Sequence, residues 1–385
     1  MKTAITAGTL FTPLERIDLP LVTIEEGKII AVSSRIETEL PLNDRHLDYP
    51  DLVLAPGFID IHIHGGSGHD VMEANDAALV TIETGMARYG VTGYLATTVT
   101  APEDRILRAL EYLGKATAQN ERKSRTRLLG IHLEGPFISD AKRGVHPPEN
   151  LVAPSREVFR KYWEASAGTI RIMTIAPELS GATETIAEAK TVGVHSSIGH
   201  SNATYDEAVK GILAGADHAT HTFNAMRPLD HREPGVLGAV LSDDRLTADL
   251  IADGIHVDPH VVKLFLQAKG PERAVLITDA ISATGMADGF YKLGAFDVEV
   301  RGDRCEYQGR LAGSVLTLDR AVRNVMSFAG STLQQAIRLA SFNPARLLAI
   351  TEQKGNVAAG CDADLILLSA QGHIMQTIIA GEPCF

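Results

Sequence analysis

Eight short apolar runs alternate with amphipathic stretches through the middle of this chain, and this alternation constrains the fold more than any other feature. An apolar run followed by a helical stretch is typical of a parallel sheet whose outer face is covered by helices. Eight such units predict an α/β fold, a (β/α)8 barrel of the TIM type. The alternative is an open doubly wound sheet, but no G-x-G-x-x-G follows the first run. The predicted strands are 58–64, 93–99, 128–134, 170–176, 194–200, 218–223, 246–252 and 274–279, and the predicted helices are 76–88, 103–117, 156–166, 183–191, 205–213, 259–268, 319–329 and 333–350.

The two ends of the chain have a different pattern, with short β-type runs separated by turn residues. Neither end has enough strands to bury a sheet face alone, so we expect both to pair into one small β-sandwich domain. The predicted organisation is therefore residues 1–54 and 351–385 for the small domain and residues 55–350 for the barrel. Residues 282–313 alternate like a β-hairpin and predict an insertion after the eighth strand.

Composition excludes several classes of partner. The 385 residues carry 36 Lys+Arg against 48 Asp+Glu, a net charge of −12, so the chain lacks the basic surface that non-specific nucleic-acid binding needs. No segment approaches the roughly 20 apolar residues of a membrane span, and polar residues interrupt the N-terminus before a signal-type apolar core forms. Three widely spaced cysteines indicate a reducing compartment. We expect a cytoplasmic protein with neither a nucleic-acid nor a membrane partner.

Histidine is concentrated in the barrel region, where 12 of the 14 lie between His62 and His260. Several stand at the carboxyl ends of predicted strands, the face on which barrel enzymes build their sites. Residues two apart in a strand point to the same side, so His62 and His64 can address one ion. Taken alone, such a pair could equally be two hydrogen-bonded structural histidines, and Glu134 could belong to a structural ion pair.

Taken together, the groups at these strand ends are hard to explain as separate structural residues. Imidazoles and carboxylates that converge on one barrel mouth need a cation among them. The sequence therefore predicts a divalent metal site, with one ion or with two bridged by Glu134, and nitrogen and oxygen ligands suit Zn, Fe(II), Mn or Co. Asp279 is the candidate proton acceptor for hydrolysis, with support of a ligand histidine as its alternative role. The predicted ligands are His62, His64, Glu134, His200 and His221.

Nine motifs carry a resemblance to a known family. They are PGFIDIHIHG, GIHLEGPF, KRGVHPPE, GHSNATYDEA, HTFNAMRPL, REPGVLGA, IADGIHVD, LITDA and LAGS, and they run from Pro56 to Ser314. With these motifs in this order, the chain resembles the N-acetylglucosamine-6-phosphate deacetylase family of the amidohydrolase superfamily. The resemblance implies hydrolysis of the acetamide of N-acetylglucosamine 6-phosphate to glucosamine 6-phosphate and acetate, in amino-sugar catabolism.

The resemblance also implies roles for single residues. Glu134, His200 and His221 match the shared metal ligands, while His62 and His64 match the extra pair of members that bind a second ion. Asp279 matches the catalytic acid/base, and His146 matches the residue that polarises the acetyl carbonyl. The implied substrate contacts are Val145, His146, Asn224, Ala225, Arg232, His256, Leu311, Ala312 and Gly313.

A homodimer is implied too, because Arg232 matches a phosphate contact that reaches in from the neighbouring subunit. Its alternative is an exposed ion pair with Glu233 or Asp230, which would contribute little. A few aimed donors suit an acidic protein that binds a dianion.

Three other functions remain open from the sequence. The same motifs could serve a deacetylase for N-acetylgalactosamine 6-phosphate. A cyclic-amide hydrolase of the superfamily is less favoured, because the fourth strand, IRIMTIAPEL, contains no lysine to be carboxylated as a metal bridge. A catalytically silent phosphosugar sensor is disfavoured by the intact Asp279.

Overall fold

Strands and helices alternate through the computed structural model, which describes residues 2–36, 45–119, 125–294 and 296–384. The strands in chain order are β1 (Lys2–Phe11), β2 (Arg16–Asp18), β3 (Pro20–Glu25), β4 (Lys28–Ser34), β5 (Arg45–Pro56), β6 (Phe58–Ile63), β7 (Gly65–Gly66), β8 (His69–Asp70), β9 (Val91–Thr98), β10 (Arg127–Glu134), β11 (Ile170–Ile175), β12 (His195–Ile198), β13 (His218–Ala219), β14 (Ala248–Ile251), β15 (Ala274–Ile277), β16 (Gly289–Leu293), β17 (Phe296–Arg301), β18 (Arg304–Tyr307), β19 (Arg310–Leu311), β20 (Leu365–Leu368), β21 (Ile374–Ile379) and β22 (Glu382–Pro383). The α-helices are α1 (Asp76–Ala87), α2 (Glu103–Ala118), α3 (Arg156–Ala165), α4 (Ala182–Thr191), α5 (Tyr205–Ala214), α6 (Gly235–Ser242), α7 (Pro259–Arg273), α8 (Leu318–Ala329), α9 (Leu333–Ala340) and α10 (Phe342–Leu347). Short 3₁₀ turns cover Val71–Glu73, Asp140–Lys142 and Pro148–Asn150.

The eight predicted barrel strands all exist and run parallel. Six form one sheet in the order β13-β12-β11-β10-β9-β6, and β14 pairs with β15. Backbone hydrogen bonds join the two sheets at both edges, from Thr222 N to Asp249 O at 3.0 Å and from Asp279 N to His62 O at 2.9 Å. The TIM-barrel-type arrangement predicted from the alternation is therefore confirmed.

Polar residues at the helix starts explain where several helices begin. Asn75, Ser155 and Thr204 each accept a hydrogen bond from a backbone N–H in the first turn of α1, α3 and α5, respectively. Such caps satisfy donors that have no partner within the helix. The residues that follow turn an apolar face to the strands, and the buried core of the barrel lies between these two layers.

Two helical predictions differ from the structure. The predicted helix 333–350 is two helices, α9 and α10, because Ser341 leaves the helical region (φ −130°, ψ −71°) and Pro344 cannot donate a backbone hydrogen bond. The sequence pattern does not predict α6, whose residues Gly235 to Val240 are all buried. A helix buried on every side has no amphipathic pattern to reveal it.

Both ends of the chain contribute to one eight-stranded sheet. Its order is β22-β21-β20-β5-β1-β3-β4, with β2 added alongside β1. The antiparallel pairing of β20 with β5 joins the C-terminal segment to the N-terminal one. Ile5, Leu54, Leu365 and neighbouring apolar residues form a second, smaller core against this sheet. The predicted pairing of the two ends is thus confirmed, whereas their arrangement as a sandwich stays a prediction.

The insertion after the eighth barrel strand is antiparallel, as predicted, and has four strands in the order β16-β17-β18-β19. It returns the chain to the barrel, where Ser314 N donates to Asp279 O at 2.8 Å. Across the described ranges, no helix has both the length and the apolar character needed to cross a membrane.

Candidate metal centre and active-site cavity

Six polar side chains meet at the carboxyl ends of the barrel strands. His62 lies within β6 and His64 directly follows it, Glu134 is the last residue of β10, and the other three stand two residues beyond a strand end. Those three have left-handed backbones, with φ of 47° at His200, 31° at His221 and 51° at Asp279. This conformation is unfavourable for residues other than glycine and is concentrated at functional sites in proteins.

The two oxygens of the Glu134 carboxylate face different partners. Oε1 lies 3.2 Å from His200 Nε2 and 3.1 Å from His221 Nε2, whereas Oε2 lies 3.2 Å from His64 Nε2. Asp279 Oδ1 lies 3.1 Å from His64 Nε2 and 3.5 Å from His62 Nε2. Two groups of three therefore have donor atoms that all lie within 4.8 Å of one another: Glu134 with His200 and His221, and His62 with His64 and Asp279. Glu134 lies between them, as a bridging carboxylate would.

The outer ring nitrogens show that these groups fit a cation. His200 Nδ1 lies 2.9 Å from Lys142 O, and His64 Nδ1 lies 3.1 Å from Thr97 O. A carbonyl only accepts, so each Nδ1 donates and a neutral ring keeps a lone pair on Nε2. His200 Nε2 is also 3.1 Å from His221 Nε2. Lone pairs that face one another and a carboxylate are stable only with a proton or a metal ion among them.

The pKa values of Glu134 and His221 also indicate that these groups are stable only with positive charge between them. Burial raises the pKa of Glu134, but the charge of His62 and hydrogen bonds from His200 and His221 outweigh it and hold that pKa well below its usual range. Burial lowers the pKa of His221, yet the hydrogen bond that His221 donates to Glu134 and the negative charge of that carboxylate raise it to about 9. A proton occupies the His221 imidazole unless a cation replaces it, so a divalent ion would bind with release of a proton.

His146 is a neutral hydrogen-bond donor that faces the cluster. Thr100 N donates to its Nδ1 at 3.3 Å, so a neutral ring carries its proton on Nε2, which lies 3.9 Å from Glu134 Oε2. Burial, followed by the charge of His200, lowers the pKa of His146 to about 3. A buried N–H donor beside a candidate metal ligand is suited to stabilise negative charge on an oxygen.

A cavity of about 330 Å³ opens above the cluster. Most of the residues predicted from the sequence line it, which brings segments separated by more than two hundred positions to one place. The lining includes His64, Glu134, Val145, His146, His200, His221, Asn224, Ala225, His256, Asp279, Leu311, Ala312 and Gly313.

Two predicted site residues do not line this cavity. His62 is fully buried, and its Nε2 lies 3.4 Å from Glu134 Oε1. Arg232 is exposed, and its backbone N–H bonds to Asp230 Oδ1 at 2.8 Å. Arg232 is not among the residues that line the cavity.

Two other strand-end histidines have structural surroundings. His132 lies 2.8 Å from Thr174 Oγ1, and His218 lies 3.0 Å from Asp249 Oδ2. Both are fully buried, and both ring nitrogens of each have a partner. The structural interpretation therefore holds for these two, although their sequence context resembles that of the candidate ligands.

Sequence reasoning missed several residues of the site. Thr100 orients His146, Asp253 lies 2.6 Å from His256 Nδ1, and Arg310 lines the cavity. A hydroxyl or backbone contact gives no signal in a single sequence. Arg310 directly precedes the LAGS motif, and this position in the sequence is a signal that it lies near the site.

Comparison with known proteins agrees with this geometry. The model of the Amidohydrolase family matches residues 53–384, and the chain belongs to that family. Within it, the chain is 39% identical to the N-acetylglucosamine-6-phosphate deacetylase of Bacillus subtilis (strain 168), over 94% of this chain and 92% of the relative. It is 38% identical to the N-acetylgalactosamine-6-phosphate deacetylase of Escherichia coli O157:H7, over 86% and 87%.

A solved structure is similar along the whole chain. It is a mutant of N-acetyl-D-glucosamine-6-phosphate deacetylase from Mycobacterium smegmatis in complex with N-acetyl-D-glucosamine-6-phosphate. The identity is 35%, the TM-score is 0.93, and the match covers 100% of this chain and 99% of the other.

Proposed function

We propose that this chain hydrolyses the acetamide of N-acetylglucosamine 6-phosphate, giving glucosamine 6-phosphate and acetate, in amino-sugar catabolism. The observation that carries the proposal is the convergence of Glu134, His200 and His221 with Asp279 and His146 around one cavity. The similarity to deacetylases along nearly the full chain supports the substrate.

The metal would be held by Glu134, His200 and His221, with His62 and His64 available for a second ion. A divalent ion bound there supplies a Lewis acid, which polarises the acetamide carbonyl and makes water more acidic. Nitrogen and oxygen donors suit Zn, Fe(II), Mn or Co.

Asp279 takes the proton of the attacking water and passes it to the amine nitrogen as the C–N bond breaks. Burial raises its pKa, but the charges of His62 and His64 and a hydrogen bond from His64 lower it overall, so the carboxylate is ionised and able to accept a proton. The Nε2–H of His146 donates to the acetamide oxygen and stabilises its developing charge.

The sugar phosphate occupies the outer part of the cavity. Asn224 supports this assignment, because its amide nitrogen is buried without a hydrogen-bond partner among the described residues. The backbone N–H of Ala225 and the side chain of His256 would complete the phosphate contacts, and Val145, Leu311, Ala312 and Gly313, which also line the cavity, would contact the substrate. Arg232 of a second subunit would reach the phosphate, which makes the functional unit a homodimer.

The same proposal includes the organisation of the chain. Residues 1–54 and 351–385 form a small β-sandwich domain beside the barrel of residues 55–350, and the protein acts in the cytoplasm. Free thiols at Cys305, Cys361 and Cys384 support a reducing compartment.

The test is an acetate-release assay on purified protein, paired with elemental analysis. We expect bound divalent metal and acetate release from N-acetylglucosamine 6-phosphate. Glu134→Gln should lose both, whereas Glu149→Gln, a change at an exposed carboxylate, should keep both. Metal-loaded protein that releases no acetate would overturn the proposal.

The galactosamine epimer is the second candidate substrate, favoured by the similarity to the Escherichia coli enzyme. Rates on the two epimers, measured side by side with one protein preparation, decide between them. A higher kcat/KM on the galactosamine epimer would reassign the substrate while leaving the chemistry unchanged.

A further inference from the structure

We propose that Arg310 recognises the substrate's phosphate from within the same subunit and so sets the preference for phosphorylated sugars. This inference rests on the proposed function for its substrate. Arg310 begins β19, the last strand of the insertion, and it lines the cavity above the metal ligands.

The other cations of the insertion are all paired. Lys292 lies 2.6 Å from Asp297, Arg301 lies 2.6 Å from Glu299, and Arg304 lies 2.8 Å from Glu306. Arg310 has no carboxylate within salt-bridge distance in residues 2–36, 45–119, 125–294 and 296–384. The one unpaired cation of this insertion is thus also the one that reaches the cavity.

The charge of the cavity explains why such a cation is needed. Its floor holds the carboxylates of Glu134 and Asp279, and the protein as a whole carries −12. Of the candidate phosphate contacts of this subunit, Asn224 and Ala225 are neutral donors and His256 is an imidazole held by Asp253, and Arg232 lies outside the cavity. Apart from histidines, Lys142 and Arg310 are the cationic lining residues among those described. A phosphate dianion is bound best by guanidinium groups, which offer several aimed donors.

The backbone fixes Arg310 relative to the reacting groups. Arg310 pairs with Tyr307 in the β18–β19 ladder, and Ala312 N donates to Cys305 O at 3.1 Å. Two residues later Ser314 N donates to Asp279 O at 2.8 Å. Arg310 thus stands four positions before the residue that hydrogen-bonds to the backbone of Asp279, and Arg310 and Asp279 line the same cavity.

The experiment compares Arg310→Met, which keeps the aliphatic stem, with Arg310→Lys and with the control Arg304→Met. Each protein is assayed on N-acetylglucosamine 6-phosphate and on unphosphorylated N-acetylglucosamine. For Arg310→Met we expect kcat/KM on the phosphorylated sugar to fall about ten- to hundredfold, mainly through KM, as for loss of one charge-assisted contact. The unphosphorylated sugar should change less than about twofold, Arg310→Lys should recover part of the loss, and Arg304→Met should match the unmutated protein.

A binding measurement separates this proposal from the proposed function. Glucose 6-phosphate carries the phosphate but no acetamide, so its affinity, measured by calorimetry, does not depend on turnover. Weaker binding to Arg310→Met than to Arg304→Met supports the assignment even if no sugar is hydrolysed. Equal affinity for glucose 6-phosphate, no binding to the unmutated protein, or an unchanged ratio of kcat/KM between the two sugars would overturn it.

Discussion

Charged groups are buried in opposite ways in two regions of this protein. The first is the barrel mouth around Glu134 and Asp279. The second, which we name the terminal ion cluster, consists of Lys28, Arg127, Lys354, Asp362 and Asp364. In the cluster Asp362 lies 2.6 Å from Lys28, 2.7 Å from Lys354 and 3.3 Å from Arg127, and Lys354 also contacts Asp364.

Each carboxylate of the terminal ion cluster has a cation from the chain itself, so the cluster is complete. At the barrel mouth the partners of Glu134 and Asp279 are imidazoles, and within the described part of the chain neither carboxylate forms an ion pair with Lys or Arg. Leaving a buried charge without a full partner is costly. In the terminal ion cluster the chain neutralises its own buried carboxylates, whereas at the barrel mouth two carboxylates and several imidazoles converge on a cavity that has room for a cation.

The largest effect should come from Asp279→Asn. The amide cannot accept a proton, so we expect acetate release to fall about a thousandfold, within the range of general acid–base catalysis. The ion held by Glu134, His200 and His221 should remain. Steady-state kinetics and elemental analysis on the same preparation check both parts.

Asp258→Asn is the matched control for that variant. Asp258 is an exposed carboxylate that caps α7, and asparagine is an equally good cap. Its activity should stay within about twofold of the unmutated protein, since no step of the proposed chemistry uses it. Near-normal turnover in Asp279→Asn would remove Asp279 from its proposed role.

The second-largest effect should come from Lys354→Met, which removes two ion pairs from the terminal ion cluster. Lys354 is 6% exposed and serves two carboxylates, so its loss leaves buried negative charge with fewer partners. We expect the free energy of unfolding to fall by about 3–5 kcal/mol, measured by urea titration, with metal content and the activity of folded protein unchanged.

Lys292→Met is the control for the cost of losing a cation at the surface. The Lys292–Asp297 pair is exposed, so the unfolding free energy should change by less than about 1 kcal/mol. If Lys354→Met cost no more than this control, buried pairing would not distinguish the two regions.

The sequence predicts the residues of the barrel mouth but not those of the terminal ion cluster. The candidate ligands were predicted because the barrel pattern fixes where each strand ends and all carboxyl ends of parallel strands share one face. The terminal ion cluster was not, because Lys28, Arg127 and Asp362 belong to three distant segments and follow no period. The LAGS motif places Arg310 near the site, but the ion pairs of Arg301 and Arg304 in the structure are what distinguish it from the other arginines of the insertion.

Acid should affect the terminal ion cluster through Asp362. Burial raises its pKa, but the charge of Lys354 and hydrogen bonds from Lys28 and Lys354 lower it below the ordinary value of 3.8. The ionised form therefore stabilises the fold above the unfolded-state pKa, and this contribution is lost as the pH falls through the lower folded-state pKa. The stability difference between the unmutated protein and Asp362→Asn should be constant from pH 7 to about pH 5 and narrow below pH 3.8. Urea titrations across this range check it, and a gap that widened on acidification would contradict the sign.

The smallest effect, from Arg127→Met, tests whether the two regions are independent. Arg127 begins β10, the strand that ends in Glu134, so one strand joins the terminal ion cluster to the barrel mouth. Asp362 keeps its ion pairs with Lys28 and Lys354 in this variant, so we expect the free energy of unfolding to fall by about 1 kcal/mol.

Seven residues of strand separate Arg127 from Glu134 by about 23 Å, beyond the range over which substitutions normally couple. The stability changes of Arg127→Met and Asp279→Asn should therefore add within about 0.5 kcal/mol in the double variant, and metal affinity should be unchanged by Arg127→Met. A larger coupling, or weaker metal binding in Arg127→Met, would show that the terminal ion cluster also positions the site.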